Sequence, residues 1–206
     1  LEKLGPSKLF IRSSTTVEDT ASSSNAGAFL SIGEVRGDDQ KNLSEAINAV
    51  ISSYGGYSPY DQVIAQHQLT NVDLAGVFFP RDLETLSAYT IFNYDDQSGK
   101  TNLVTSGVGD NLPTYIRLRG SDEPYPHARF EAIYAAVEEL ESFLGNRIEV
   151  ELAVDCDGRV CIFQVRPLIN ACAGRIVNEL ELGSWLDKVR KKIEKLSRPH
   201  PDLLGR

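Results

Sequence analysis

Two alternating runs, Arg147 to Val154 (RIEVELAV) and Arg159 to Val165 (RVCIFQV), flank Asp155-Cys156-Asp157-Gly158 and constrain this chain more than any other feature. Period-two alternation on both sides of a turn ending in Gly predicts an antiparallel β-hairpin. A four-residue loop sets Val154 opposite Arg159 and Glu149 opposite Gln164. One face then collects Ile148, Val150, Leu152, Val154, Cys161, Phe163 and Val165, all apolar. The other collects Arg147, Glu149, Glu151, Gln164 and Arg166, with Val160 and Ile162 nearer the turn. A three-residue loop would oppose Val150 to Gln164 and mix the faces, so the clean separation selects the first register.

Two carboxylates, a carboxamide and two guanidiniums on one sheet face have two readings. One is a solvated face with cross-strand ion pairs, each contributing at most about 1 kcal/mol. The other is a site for a nucleoside triphosphate and Mg²⁺, because Glu and Gln oxygens suit a hard cation and Arg forks suit phosphate oxygens.

The rest of the chain supplies context. Lys8 to Arg12 is strand-like and runs into the Ser/Thr-rich stretch Ser13 to Ser24, which predicts a loop ending at Asn25-Ala26-Gly27. Leu43, Ala46, Ile47, Val50 and Ile51 predict a helix over Asn42 to Tyr54, stopped by Gly55-Gly56. Short β runs follow at Gln62–Gln66, Asp73–Phe79, Ser87–Tyr94, Thr101–Thr105 and Thr114–Leu118. A second helix, Ala128 to Leu144, places Phe130, Ile133, Tyr134, Val137 and Leu140 on one face, with an acidic, solvated face opposite and Gly145 as its C′ residue. A third, near Arg175 to Leu196, is long and amphipathic, carrying Leu180, Trp185, Leu186, Val189, Ile193 and Leu196.

Charge narrows the function classes. Residues 1–174 carry 13 basic and 24 acidic side chains, a net of −11, whereas 175–206 carry 8 and 5, a net of +3. An acidic body argues against a nucleic-acid binder, and no apolar run approaches the roughly 18–20 residues of a membrane span. Cys156, Cys161 and Cys172 form no metal or redox motif and read as reduced thiols, which points to the cytoplasm. With no Met anywhere and Leu1 at the start, the sequence reads as a piece of a longer protein.

Four segments in order resemble the ATP-binding domain, of ATP-grasp type, of the phosphoenolpyruvate synthase and pyruvate, phosphate dikinase family. They are Ile11-Arg12-Ser13-Ser14 continuing through Glu18-Asp19 to Gly27; Val63-Ile64-Ala65-Gln66 with Ala75-Gly76-Val77-Phe78-Phe79; the Glu149/Glu151 strand; and Gln164-Val165-Arg166-Pro167. The resemblance covers about Phe10 to Leu168 and implies an α+β fold: an ATP-binding domain over 1–174 that lacks its N-terminal part, then a helical connector over 175–206.

It also implies roles. Arg12 and Arg166 would be the catalytic clamps on ATP phosphates, with Ser13, Gly27 and Ser31 contributing to the phosphate loop. Gln66, with the backbone of Gln68 and Leu69, would read the adenine edge. Glu151 and Gln164, with Glu149 nearby, would bind Mg²⁺. No role maps to His67, which reads as a surface histidine.

Two departures refine the expectation. A family Lys lies upstream of anything here, and Phe92 to Thr101 with Val104-Thr105-Ser106-Gly107 replaces the usual Gly-Leu-Gly-Glu stretch. That variant is similar to the L-glutamine kinase-like branch of capsule and surface-glycan pathways, as is the ending Pro199 to Arg206. The implied activity is transfer of a phosphoryl group from ATP, through a histidine on another domain, to a small acceptor, releasing AMP and phosphate. The phosphohistidine and acceptor domains would lie beyond residue 206. Enzymes of the same fold acting on pyruvate or an antibiotic hydroxyl, and a non-catalytic β-rich binding module, are the alternatives.

Overall fold

The computed structural model describes residues 5–15, 19–20, 23–24, 29–56, 58–83, 85–101, 112–145, 148–168 and 179–198. It is mixed α+β, with two main antiparallel sheets and three helices among these residues. All but the first residue of the expected strand at Thr101–Thr105, together with Gly27, Cys172 and the Pro199 to Arg206 ending, lies outside them.

The smaller sheet joins β1 (Lys8–Ser14), β4 (Ser31–Arg36) and β5 (Gln62–His67) in the order β4-β1-β5. Alternation along β1 buries Leu9, Ile11 and Ser13 and turns Phe10 and Arg12 to the opposite face. Helix α1 (Gln40–Ser52) covers the first face, its Leu43, Ala46 and Val50 packing on Leu9, Ile11 and Val35. The Asp39 carboxylate caps this helix by accepting the Asn42 N–H at 3.1 Å. Of the predicted helical stripe, Leu43, Ala46 and Val50 are buried, Ile47 is half-buried and Ile51 is exposed.

No element was expected at β4. Its alternation is broken by a bulge, where the β1 pairing shifts between Leu9 and Ile11 and Glu34 adopts φ 60°. The expected Ser-rich loop contains strand residues, because β1 extends to Ser14 and Asp19–Thr20 (β2) pairs with Ser23–Ser24 (β3).

The larger sheet has the order β10-β9-β6-β7-β8, built from β6 (Val72–Phe79), β7 (Tyr89–Asp95), β8 (Thr114–Leu118), β9 (Ile148–Asp155) and β10 (Val160–Pro167). Gly76 on the central strand β6 is required by close packing. A Cβ there would stand 2.3 Å from the Asn93 carbonyl oxygen and 2.8 Å from the Phe92 ring.

Helix α2 (Ala128–Leu144) lays Phe130, Ile133, Tyr134 and Val137 on Leu74, Phe78, Phe92, Val150, Leu152 and Val154. The Phe78 and Tyr134 rings meet edge to face with centroids 4.9 Å apart. Its acidic side is not wholly solvated. Glu141 is buried and bonded to Arg119.

Helix α3 (Glu179–Leu196) leaves Trp185, Ile193 and Leu196 exposed. No helix among the described residues is long and apolar enough to cross a membrane.

The hairpin differs from its expected register. Val154 faces Val160 rather than Arg159, and the pairing shifts between Ile162 and Gln164. Phe163 is the extra residue of a β-bulge. Beyond it Gln164 faces Glu151, and Arg166 faces Glu149. Cys161 therefore opposes Ala153 on the carboxylate face, while Val160 and Ile162 join the apolar one. An unbroken ladder cannot direct both Val160 and Val165 toward α2, where both pack against the core. One inserted residue resets the parity and satisfies both halves.

Candidate functional site

The candidate site forms where the exposed face of the small sheet meets the carboxylate face of the large one. Arg12 on β1 reaches across, its Nη1 donating to the Phe163 carbonyl at 3.4 Å and its Nη2 donating to Gln164 Oε1. The bulge residue itself thus supplies one acceptor that joins the sheets. Arg166, 5% exposed, donates from Nη2 to the same Gln164 oxygen at 3.0 Å. Its Nη1 donates to Glu151 Oε1 at 2.7 Å and to Glu149 Oε1 at 3.3 Å. Five residues singled out from sequence, Arg12, Glu149, Glu151, Gln164 and Arg166, therefore form one connected network.

Electrostatics within it are finely set. Burial pushes the Glu151 carboxyl above the ordinary glutamate range, while Arg166 and Arg12 pull it back and neighbouring Glu149 pushes it further up. The Arg166 charge lies against both carboxylates, so each buried ion has a counter-charge.

Cation-binding capacity follows from the donor set. Glu149, Glu151 and Gln164 offer two carboxylates and a carboxamide oxygen, a complement that suits Mg²⁺ when phosphate oxygens supply further ligands. Among the described residues no group of three or more His, Cys, Asp or Glu gathers as a metal cluster. A cation here would take over carboxylate oxygens that Arg166 now holds.

The other candidates fall into three places. Ser31 pairs with Arg12, and Gln66 pairs with Phe10, so both lie on the Arg12 face of the small sheet. Ser13 is buried on the α1 side of β1, opposite to Arg12. Gln68 and Leu69 follow β5, and the Gln68 side chain is engaged with β4: Oε1 accepts the Glu34 N–H at 2.6 Å, and Nε2 donates to Glu34 Oε1 at 2.7 Å. Exposed His67 is hydrogen-bonded through Nδ1 to the Ser7 hydroxyl at 2.7 Å.

Sequence reasoning did not single out Phe163, whose bulge orients the network, nor Arg117 and Arg119 on the α2 face of the large sheet. The i, i+2 spacing of the two arginines, one in β8 and one just past its end, was the available signal for this pair. The Phe163 bulge leaves no local signal.

The sequence matches no protein-family model and no curated protein.

Proposed function

We propose that this chain is the Mg-ATP-binding part of an ATP-dependent phosphotransferase with an ATP-grasp-type nucleotide domain. The observation that carries the reading is the convergence of Arg12 with Gln164, 152 positions away along the chain, and through it with Arg166, Glu151 and Glu149. Four separate sequence segments suggest nucleotide-binding roles, and three of them contribute side chains or facing positions to one locus: Arg12, the Glu149/Glu151 strand and the Gln164/Arg166 strand.

In this reading Arg12 and Arg166 clamp phosphate oxygens from two sheets, which positions the nucleotide and neutralises charge developing during transfer. Glu149, Glu151 and Gln164 would hold Mg²⁺, which when bound neutralises phosphate charge and orients the triphosphate. Ser31 and Gln66, on the Arg12 face, lie along the same side of the small sheet for further contacts to the nucleotide. The phosphoryl group would leave through a histidine on another domain toward a small acceptor, with an L-glutamine-like amide favoured and AMP and phosphate as the other products.

Calorimetric titration of Mg-ATP into the 206-residue chain and into Glu151→Ala and Arg166→Ala tests the site. Each substitution is expected to weaken binding at least about tenfold, roughly 1.4 kcal/mol. Thermal melts establish that both variants are folded at the titration temperature. Unchanged affinity in the two folded variants rejects the assignment.

A further inference from the structure

On the opposite face of the large sheet, β7, β8 and α2 enclose a cavity of about 420 Å³, within the size range of small-molecule sites. We infer that this cavity binds a small zwitterion, its oxyanion end on Arg117 and its cationic end at Asp122 and Glu138.

The floor is cationic. Arg117 is 9% exposed, and no carboxylate among the described residues pairs with it. Its Nη2 donates to the carbonyls of Ser121 and Glu123, both at 2.5 Å, and its guanidinium carbon lies 4.2 Å from the centre of the Tyr125 ring. These contacts, with a hydrogen bond to the Tyr115 side chain, orient the fork but bring no carboxylate to it among the described residues. A buried charge without a counter-ion is costly, and a bound carboxylate or sulfonate supplies the missing charge.

Arg119, one residue past the end of β8, is differently placed. Its Nη1 donates to Glu141 Oε2 at 2.9 Å and to Oε1 at 3.1 Å, so one guanidinium of the pair is neutralised and the other is not. A second polar wall is the hydroxyl pair of Thr90 and Tyr134.

The rim has the opposite sign. Asp122 and Glu138 line the cavity and are exposed, and neither carboxylate has an ion pair or hydrogen bond among the described residues. A cation inside and two anions at the entrance complement a molecule whose negative end enters first. A plain anion would be repelled at the rim, and a plain cation at the floor.

The site is independent of the proposed Mg-ATP locus. Arg117 pairs with Thr90 on the face that packs against α2, whereas Glu149 and Glu151 alternate to the other face of the sheet. The two readings therefore fail separately.

The test titrates glycine and γ-aminobutyrate, with acetate and ethylamine as single-charge controls, into the full 206-residue chain. Backbone amide shifts of Ser121 and Glu123 are the readout. At least one zwitterion is expected to saturate these shifts with a dissociation constant in the low millimolar range, on the order of tenfold tighter than either control. Asp122→Asn combined with Glu138→Gln, two exposed positions, should remove that preference while acetate binding stays or improves and Mg-ATP affinity is unchanged. The proposal is overturned by no saturable shift with either zwitterion, by acetate binding as tightly as the zwitterions, or by a double variant that keeps the preference.

Discussion

Arg12 Nη2 and Arg166 Nη2 donate to one and the same carboxamide oxygen, Gln164 Oε1, so a single side chain ties the first long strand of the protein to its last. Gln164 serves both arginines because the bulge at Phe163 turns it to the face that carries Glu149 and Glu151. The link is a charge-assisted hydrogen bond in a partly buried setting, where such bonds contribute about 1.5–3 kcal/mol.

Arg12→Ala and Gln164→Ala should therefore be coupled. In a double-mutant cycle read by urea unfolding, we expect an interaction energy of about 1 kcal/mol or more. Additivity of the two single effects would show that the bridge adds nothing to the association of the sheets.

Arg119 and Glu141 form a buried ion pair away from the candidate site, with side chains 20% and 7% exposed. Glu141→Leu takes the buried, bidentate carboxylate away from the guanidinium and should cost about 3 kcal/mol, because a charge in a poorly solvated place loses that counter-charge. Adding Arg119→Leu should recover most of that loss. The order of the urea midpoints, with the double variant above Glu141→Leu, is the check.

Gly76→Ala should destabilise the large sheet by about 3 kcal/mol, since the new methyl meets the backbone of β7 rather than a movable side-chain end. Equivalent substitution at Gly56, where a Cβ meets nothing within 4 Å, should be close to neutral. Comparable melting temperatures for the two variants would contradict the packing described for β6.

Tyr134 sets an alkaline limit. Burial pushes its hydroxyl from the ordinary 10.0 up to about 12, with the Thr90 hydrogen bond opposing the rise. A group whose folded value is raised contributes stability that is fully present below the unfolded value and is lost as pH rises through the folded one. Stability should therefore fall between about pH 10 and 12 by at most about 2–3 kcal/mol from this residue. Tyr134→Phe should be less stable at neutral pH, having lost the bond to Thr90, and should show a shallower alkaline decline. Parallel declines in the two proteins would remove Tyr134 as the cause.

Most element types were legible because their signals are local. The three-to-four spacing of Leu43, Ala46 and Val50, and of Phe130, Ile133, Tyr134 and Val137, is set by the geometry of one helix turn, and these residues are buried as that spacing requires. Alternation in β9 likewise separated Glu149 and Glu151 from Val150 and Leu152 before any partner strand was known. The sequence alone also nominated the five residues that form the network around Arg166.

Tertiary structure decided how those residues meet. The hairpin register, the insertion of Phe163 and the strand β4 with its bulge at Glu34 depend on which neighbours compete for the core, information that no short window contains. Glu141 looked solvated on its own helix, and the approach of Arg119 from the turn after β8 makes its burial tolerable. Local periodicity determines which way a side chain points from its own strand or helix. Which charge it then faces is settled by long-range packing, and that is why the Arg12 bridge and the Arg117 cavity belong to the fold rather than to the sequence pattern.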